Sequence, residues 1–318
     1  MVLALAALAS LAVGSQSVPF AEVFRAFTAY DGSDAHAIVR DLRVPRTELG
    51  LLVGAALGAA GTLMQGATRN ALAEPGILGI NAGAAFAVVL AISVLGVGST
   101  SAYTAFALAG AAGCAVLVFV LGASTRQGPS AVSLALAGSV MAALLISLTS
   151  AILVFDAQTL DQFRFWIVGS IAGRDAGVAG TIAPLVVVGL LVAFAVGHSL
   201  NTLALGDEVA RSLGQHVGRT RAAATLGFVL LAGAAVAAAG PVAFVGLAVP
   251  HIARGLAGPD YRWIVPYSVL LGGVLLLVAD VVGRVLVRPA EISVGIITVL
   301  VGAPFFVWLV RRPRLVAL

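Results

Sequence analysis

Lysine is missing altogether: all 18 basic side chains among the 318 residues are arginine. A Walker A phosphate loop sets a lysine against the β- and γ-phosphates, so the chain does not hold ATP in such a loop. Schiff-base chemistry through lysine is excluded as well. Cysteine occurs once, as Cys114 within the apolar stretch 111–121, which rules out an internal disulfide and a cysteine-rich metal site. Charge of either sign is scarce. Asp, Glu, Lys and Arg make up 10% of the chain, against roughly 25% in soluble domains, too little to coat a water-facing globule.

What fills the space is apolar. Hydrophobic residues reach 60% and mean hydropathy is +1.09. A soluble fold of that composition would carry large exposed apolar patches, and disorder needs the opposite balance. The chain reads as an all-α, polytopic membrane protein. Its isoelectric point near 10 rests on a net charge of only +4, and no basic stripe is interleaved with aromatics, so nucleic acid is not a partner.

A helix needs about 20 apolar residues to cross hydrocarbon. The runs between charges give ten candidates, roughly 2–14, 47–66, 77–97, 102–122, 131–155, 177–197, 222–240, 242–257, 264–287 and 292–310. They fill 1–318 as one transmembrane domain. The first run is short, but it lacks a basic start and a clear cleavage site, so it reads as a span and not as a signal-peptide core. Gly240-Pro241 separates the seventh and eighth runs and reads as a tight reversal at one face, with Pro250 kinking the shorter helix. The pairs Gly54/Gly58 and Gly79/Gly83 read as close helix packing.

Orientation follows arginine placement. With Arg311, Arg312 and Arg314 cytoplasmic, ten spans return the N-terminus to the same side, and ten arginines lie inside against eight outside. That bias is small, so the outer arginines need a reason of their own. Arg40, Arg43 and Arg46 fall within seven residues before the second span, and Arg284 and Arg288 close the ninth. Two readings stand. Either they snorkel and pair with Asp41, Glu48, Asp280 and Glu291, or they form a basic patch that receives carboxylates of an extracellular partner.

The longest polar interruption among the later spans is 201–221. Leu205, Val209, Leu213 and Val217 recur every four residues as one apolar stripe. Asp207 and Glu208 in the first turn and Arg211 in the last suit the helix dipole, and Gly214 supplies a left-handed stop. This short amphipathic helix either rests on lipid or docks into a groove of a cytosolic partner. Inside the spans almost nothing ionises. Asp280 is the deepest acid, with Arg284 one turn on. Proton- and sodium-coupled carriers place acids or histidines inside the bundle, so their scarcity argues against an ATP-independent secondary transporter.

Five blocks, in order, resemble the FecCD-type permeases of ABC importers for ferric siderophores, haem and cobalamin: 43–84 (RVPRTELGLLVGAALGAAGTLMQGATRNALAEPGILGINAGA), FWIVGSIAG (165–173), LALGDEVARSLG (203–214), AGPVAFVGLAVPHIARGLAGPDYR (239–262) and 279–310. The resemblance implies a type II ABC importer permease fold of ten helices with both termini cytoplasmic, in a bacterial cytoplasmic membrane. It implies no enzyme activity and no cofactor in this chain, ATP and Mg²⁺ being held by two copies of a partner ATPase subunit. The other implied partners are a second permease subunit, usually identical, and an extracytoplasmic substrate-binding protein. Leu205, Gly206, Asp207, Ala210, Arg211, Leu213 and Gly214 match the family's ATPase-coupling helix. Arg43, Arg46 and Arg284 match positions that receive glutamates of the binding protein. The pathway and its gate fall on Ser130, Ser139, Ser147, Trp166 and Ile297. The expected cargo is a ferric siderophore, with haem or cobalamin as alternatives.

Overall fold

The structure, a computed structural model, describes residues 1–124 and 131–311. Every one of the ten apolar runs is helical. In chain order the helices are α1 (Val2–Ala12), α2 (Phe20–Thr28), α3 (Asp34–Ala37), α4 (Val44–Thr68), α5 (Ile80–Leu95), α6 (Thr100–Ala123) and α7 (Ala131–Phe155). They continue as α8 (Ala157–Ile167), α9 (Gly177–Ala204), α10 (Asp207–Ser212), α11 (Val217–Ala239), α12 (Val245–Ala257), α13 (Tyr261–Leu286) and α14 (Val294–Val310). A π-helical turn, Ile38–Arg43, joins α3 to α4. Among the described residues, six helical stretches are long and apolar enough to cross a membrane, while α1, α5, α12 and α14 are apolar but shorter. No strand occurs among the described residues.

Helix ends follow local chemistry. Pro45 opens α4, where a missing N–H costs nothing. Asp156 caps α8 by accepting from Thr159 N at 3.0 Å, and Asp260 caps α13 by accepting from Arg262 N at 2.9 Å.

With 25 residues, α4 is about 37 Å long at 1.5 Å per residue. It is the central post, packed against α13, α11, α9 and α12. Glycine makes that possible. A Cβ on Gly54 would lie 2.3 Å from the Gly272 carbonyl oxygen, and one on Gly61 only 1.8 Å from that of Gly246. Gly61→Val therefore has to push α12 off α4, against a backbone that does not yield. The expected outcome is loss of monodisperse protein on size exclusion in detergent. Gly113→Val, at a site with nothing within 4 Å, keeps the wild-type profile.

The reversal between α11 and α12 differs from its sequence reading. It is not at a free face. Gly240 takes φ +74° and lies so close under α8 that its Cβ would meet the Trp166 carbonyl oxygen at 2.3 Å. Phe244, left-handed at φ +68°, donates its backbone N–H to Glu74 Oε1 at 3.0 Å. A buried connection needs its polar backbone satisfied, and Glu74 does this from a segment that folds back between α4 and α5.

Two ends of the bundle result. At one, the start of α4 meets the end of α13 through Arg46 and Asp280. At the other, Arg69, just beyond α4, approaches Asp207 at 3.9 Å, and Asn201 bonds to Asp260.

Candidate functional site

The short helix α10 sits between two glycines with left-handed φ, Gly206 at +111° and Gly214 at +80°. Its inner side is fixed. Asp207 accepts two hydrogen bonds of 2.9 Å from Arg221, with Arg211 at 3.8 Å, and Ala210 is fully buried. Gln215 closes the following turn, donating to the Ser199 carbonyl at 2.8 Å and to Thr220 at 2.9 Å. The outer side is apolar and uncovered: Leu205, Val209 and Leu213 are 62%, 44% and 64% exposed. Val217 does not continue this stripe. The left-handed Gly214 turns the chain first, so Val217 begins α11 and is buried. The expected contact set thus divides into tethers (Asp207, Ala210), hinges (Gly206, Gly214) and presented residues (Leu205, Arg211, Leu213). Nearby, hydrogen bonds from Arg262 and Asn201 hold the Asp260 carboxyl well below the usual carboxylate range.

At the opposite end the three singled-out arginines turn inward. Arg43, 6% exposed, donates to the Leu11 carbonyl at 2.7 Å and to that of Gln16. Arg284, 2% exposed, pairs with Asp280 at 2.9 Å and donates to the Ser10 carbonyl and hydroxyl at 2.9 and 2.8 Å. Arg46 forks onto Asp280 through Nε and Nη2 and reaches Glu291 at 2.7 Å through Nη1. Asp280 therefore bridges two cations and ties α4 to α13. These three arginines border an open cavity of about 270 Å³ together with Gln16 and Glu291, and only Arg46 reaches its rim with an exchangeable surface partner.

Ser139 and Ser147 lie on the exposed side of α7 among Leu136, Val140 and Leu144. Their hydroxyls fold back onto the Leu136 and Ala143 carbonyls, each at 2.9 Å, which satisfies them without polarising the surface strongly. Trp166 and Ile297 are buried. Trp166 stacks on Phe163 with centroids 5.9 Å apart. Ser130 lies outside the described residues.

Residues 2–312 match the FecCD transport family. The chain belongs to that family. It is 41% identical over 311 residues, 98% of this chain and 93% of the other, to the probable siderophore transport system permease protein YfiZ of Bacillus subtilis. It is 42% identical over 312 residues, 98% and 93% of the two chains, to the ferric enterobactin transport system permease protein FepD of Escherichia coli. A solved structure described as an inward-facing conformation of a metal-chelate type ABC transporter superposes with a TM-score of 0.86 at 28% identity, over 98% of this chain and 96% of that one. This FecCD chain is a membrane permease, a transport protein built on the helical fold of that transporter.

Several residues that shape the permease carry no local sequence signal. Arg221 reaches Asp207, 14 residues away, across the break between α10 and α11. Arg254 donates to the Gln65 side chain from 189 residues away. Ser10 and Thr47 share a buried 2.8 Å hydrogen bond beside Arg284. Glu74 falls in a run that reads as loop. The Asp280–Arg284 pair, spaced one helical turn, and the pairing of the outer arginines with Asp280 and Glu291 do carry a sequence signal.

Proposed function

We propose that this permease is the membrane subunit of an ATP-driven importer for an iron chelate, moved by a separate ATPase that docks on α10. The observation that carries this is α10 itself: a six-residue helix clamped to the bundle through Asp207 and Ala210 while Leu205, Val209 and Leu213 stay uncovered. An interfacial helix resting on lipid needs no such clamp, whereas a push-rod does. Movement delivered at Leu205–Leu213 passes through the Asp207–Arg221 fork into α11 and through Arg69 into α4. Rigid-body rocking of these packed helices then switches the two arrangements of the pathway.

On this reading the α10 end is cytoplasmic, both termini lie on that side, and the Arg43–Arg46–Arg284 end faces outward. A second copy of the chain covers the apolar face of α7, with the pathway between the copies. Its small hydroxyls and aliphatics suit conduction, since a wall that binds tightly does not release. A binding protein delivers cargo at the outer end, and its carboxylates compete with Glu291 for Arg46. ATP and Mg²⁺ reside in the ATPase, and this chain carries no cofactor.

The test is reconstitution of the permease with its ATPase and binding protein in proteoliposomes. Radioactive iron supplied as a chelate accumulates only with ATP on the ATPase side. Accumulation by the permease alone on a proton or sodium gradient would overturn the reading.

A further inference from the structure

At the outer end, α6, α8 and the segment before α9 enclose an open cleft of about 300 Å³ lined by Tyr103, Gln162, Trp166, Ser170, Arg174 and Ser293 among others. Its unused polar groups are all able to donate. Arg174 spends only Nε, on the Ser170 carbonyl at 3.1 Å, and Nη1 and Nη2 make no bond among the described residues. The Ser170 hydroxyl accepts from Ala172 N at 3.1 Å, which leaves its proton available, and the Ser293 hydroxyl is unengaged among the described residues. Gln162 accepts from the Tyr103 hydroxyl through Oε1 at 2.9 Å, leaving its amide N–H groups. No carboxylate lines the cleft; Asp175, next along the chain, is exposed.

Arg174 also differs from its neighbours at this end. Arg46 and Arg284 are neutralised by Asp280, Arg164 by Asp161 and Arg25 by Glu22, and Arg40 stacks on Tyr30. Arg43, which like Arg174 has no carboxylate partner among the described residues, spends Nη1 and Nη2 on the Leu11 and Gln16 carbonyls. Arg174 has no ion-pair partner within 4.0 Å among the described residues. Burial pushes its guanidinium pKa down, only partly offset by the field of the exposed Asp175, as for a cation stripped of water without a contact anion. A partly desolvated guanidinium beside free O–H and N–H donors suits anionic oxygen.

We propose that this cleft is an anion-recognising station for the cargo and that the permease therefore carries iron chelates of net negative charge. This rests on the importer reading above. Each hydroxamate brings one negative charge, so three of them neutralise Fe³⁺; two citrates or three catecholates bring six and leave the complex anionic. An anionic chelate presents carboxylate or phenolate oxygens to Arg174 and the serines. A neutral chelate gains nothing from the arginine.

The experiment compares ferric citrate with a neutral ferric trihydroxamate in the complete ATP-driven assembly. Wild type is expected to take up ferric citrate in preference. Arg174→Gln should lower that uptake by about tenfold or more, the scale of one charge-assisted contact, and Arg174→Lys should retain an intermediate rate. Uptake of ferric citrate by Arg174→Gln at the wild-type rate, or wild-type preference for the neutral complex, overturns the proposal. Transport of neither chelate would mean that the importer reading has failed, and a second measurement then decides the cleft separately. Ferric citrate titrated into the purified permease should quench Trp166 fluorescence saturably, with Trp166→Phe as the control. Loss of that quenching in Arg174→Gln supports the anion site; its persistence overturns it.

Discussion

Asp280→Leu is expected to be among the most damaging single substitutions in the chain. Asp280 is almost fully buried and accepts from both Arg46 and Arg284. Its removal leaves Arg284, equally buried, with only the neutral oxygens of Ser10, so an uncompensated charge remains inside the bundle. Breaking a buried pair from one side costs about 3–5 kcal/mol, a large share of the stability of most folds. The thermal midpoint in detergent should fall sharply, with α1 and α13 losing their registry at the Ser10–Arg284 contact. Replacing both charges is a different matter. Asp280→Leu with Arg284→Met exchanges a desolvated pair for apolar packing, which is often neutral, and Arg46 keeps Glu291. Recovery of most of the midpoint in the double variant, beside collapse in the single one, is the expected pattern.

Leu205→Glu combined with Leu213→Glu is expected to abolish ATP-driven uptake while leaving the permease folded. Both side chains are mostly exposed; surface changes of this sort typically move stability by about 0.5 kcal/mol or less. Their apolar faces are what a partner groove would bury, and a handful of such contacts dominates most interfaces. Co-purification with the ATPase should be lost and the thermal midpoint kept. Asp207→Asn makes the useful contrast. It weakens the fork with Arg221, so α10 stays present but loosely held, and ATP hydrolysis should continue with uptake reduced. The two variants separate gripping from transmitting.

The ten helices were legible because hydrocarbon demands long apolar runs and charge marks where they stop. The start and stop of α10 were legible too, from Asp207, Arg211 and Gly214, since capping and dipole effects are local. What could not be read was which way each side chain faces. The outward stripe of Leu205, Val209 and Leu213 is in the sequence, but that Asp207, two residues from Leu205, is a tether is set by Arg221, on the far side of a helix break. In the same way Arg43, Arg46 and Arg284 stood out as a basic cluster, with pairing to Asp280 and Glu291 as one of its two readings, while the inward turn of Arg43 and Arg284 depends on Leu11, Gln16 and Ser10, brought in by α1 and the segment after it. Glu74 lies between two apolar runs, where a carboxylate reads as solvated. Its partner, the Phe244 N–H, exists only once α12 has folded back against α4.

The most direct measurement uses the cysteine scarcity noted at the outset. Cys114 is the only native thiol and is buried beside the Gly79 carbonyl, so an introduced cysteine is labelled against a silent background. With Leu213→Cys in sealed, oriented membrane vesicles, the account predicts that an impermeant maleimide reacts only from the cytoplasmic side, and that the bound ATPase protects the thiol. Labelling from the outer side, or labelling unaffected by the ATPase, would contradict it.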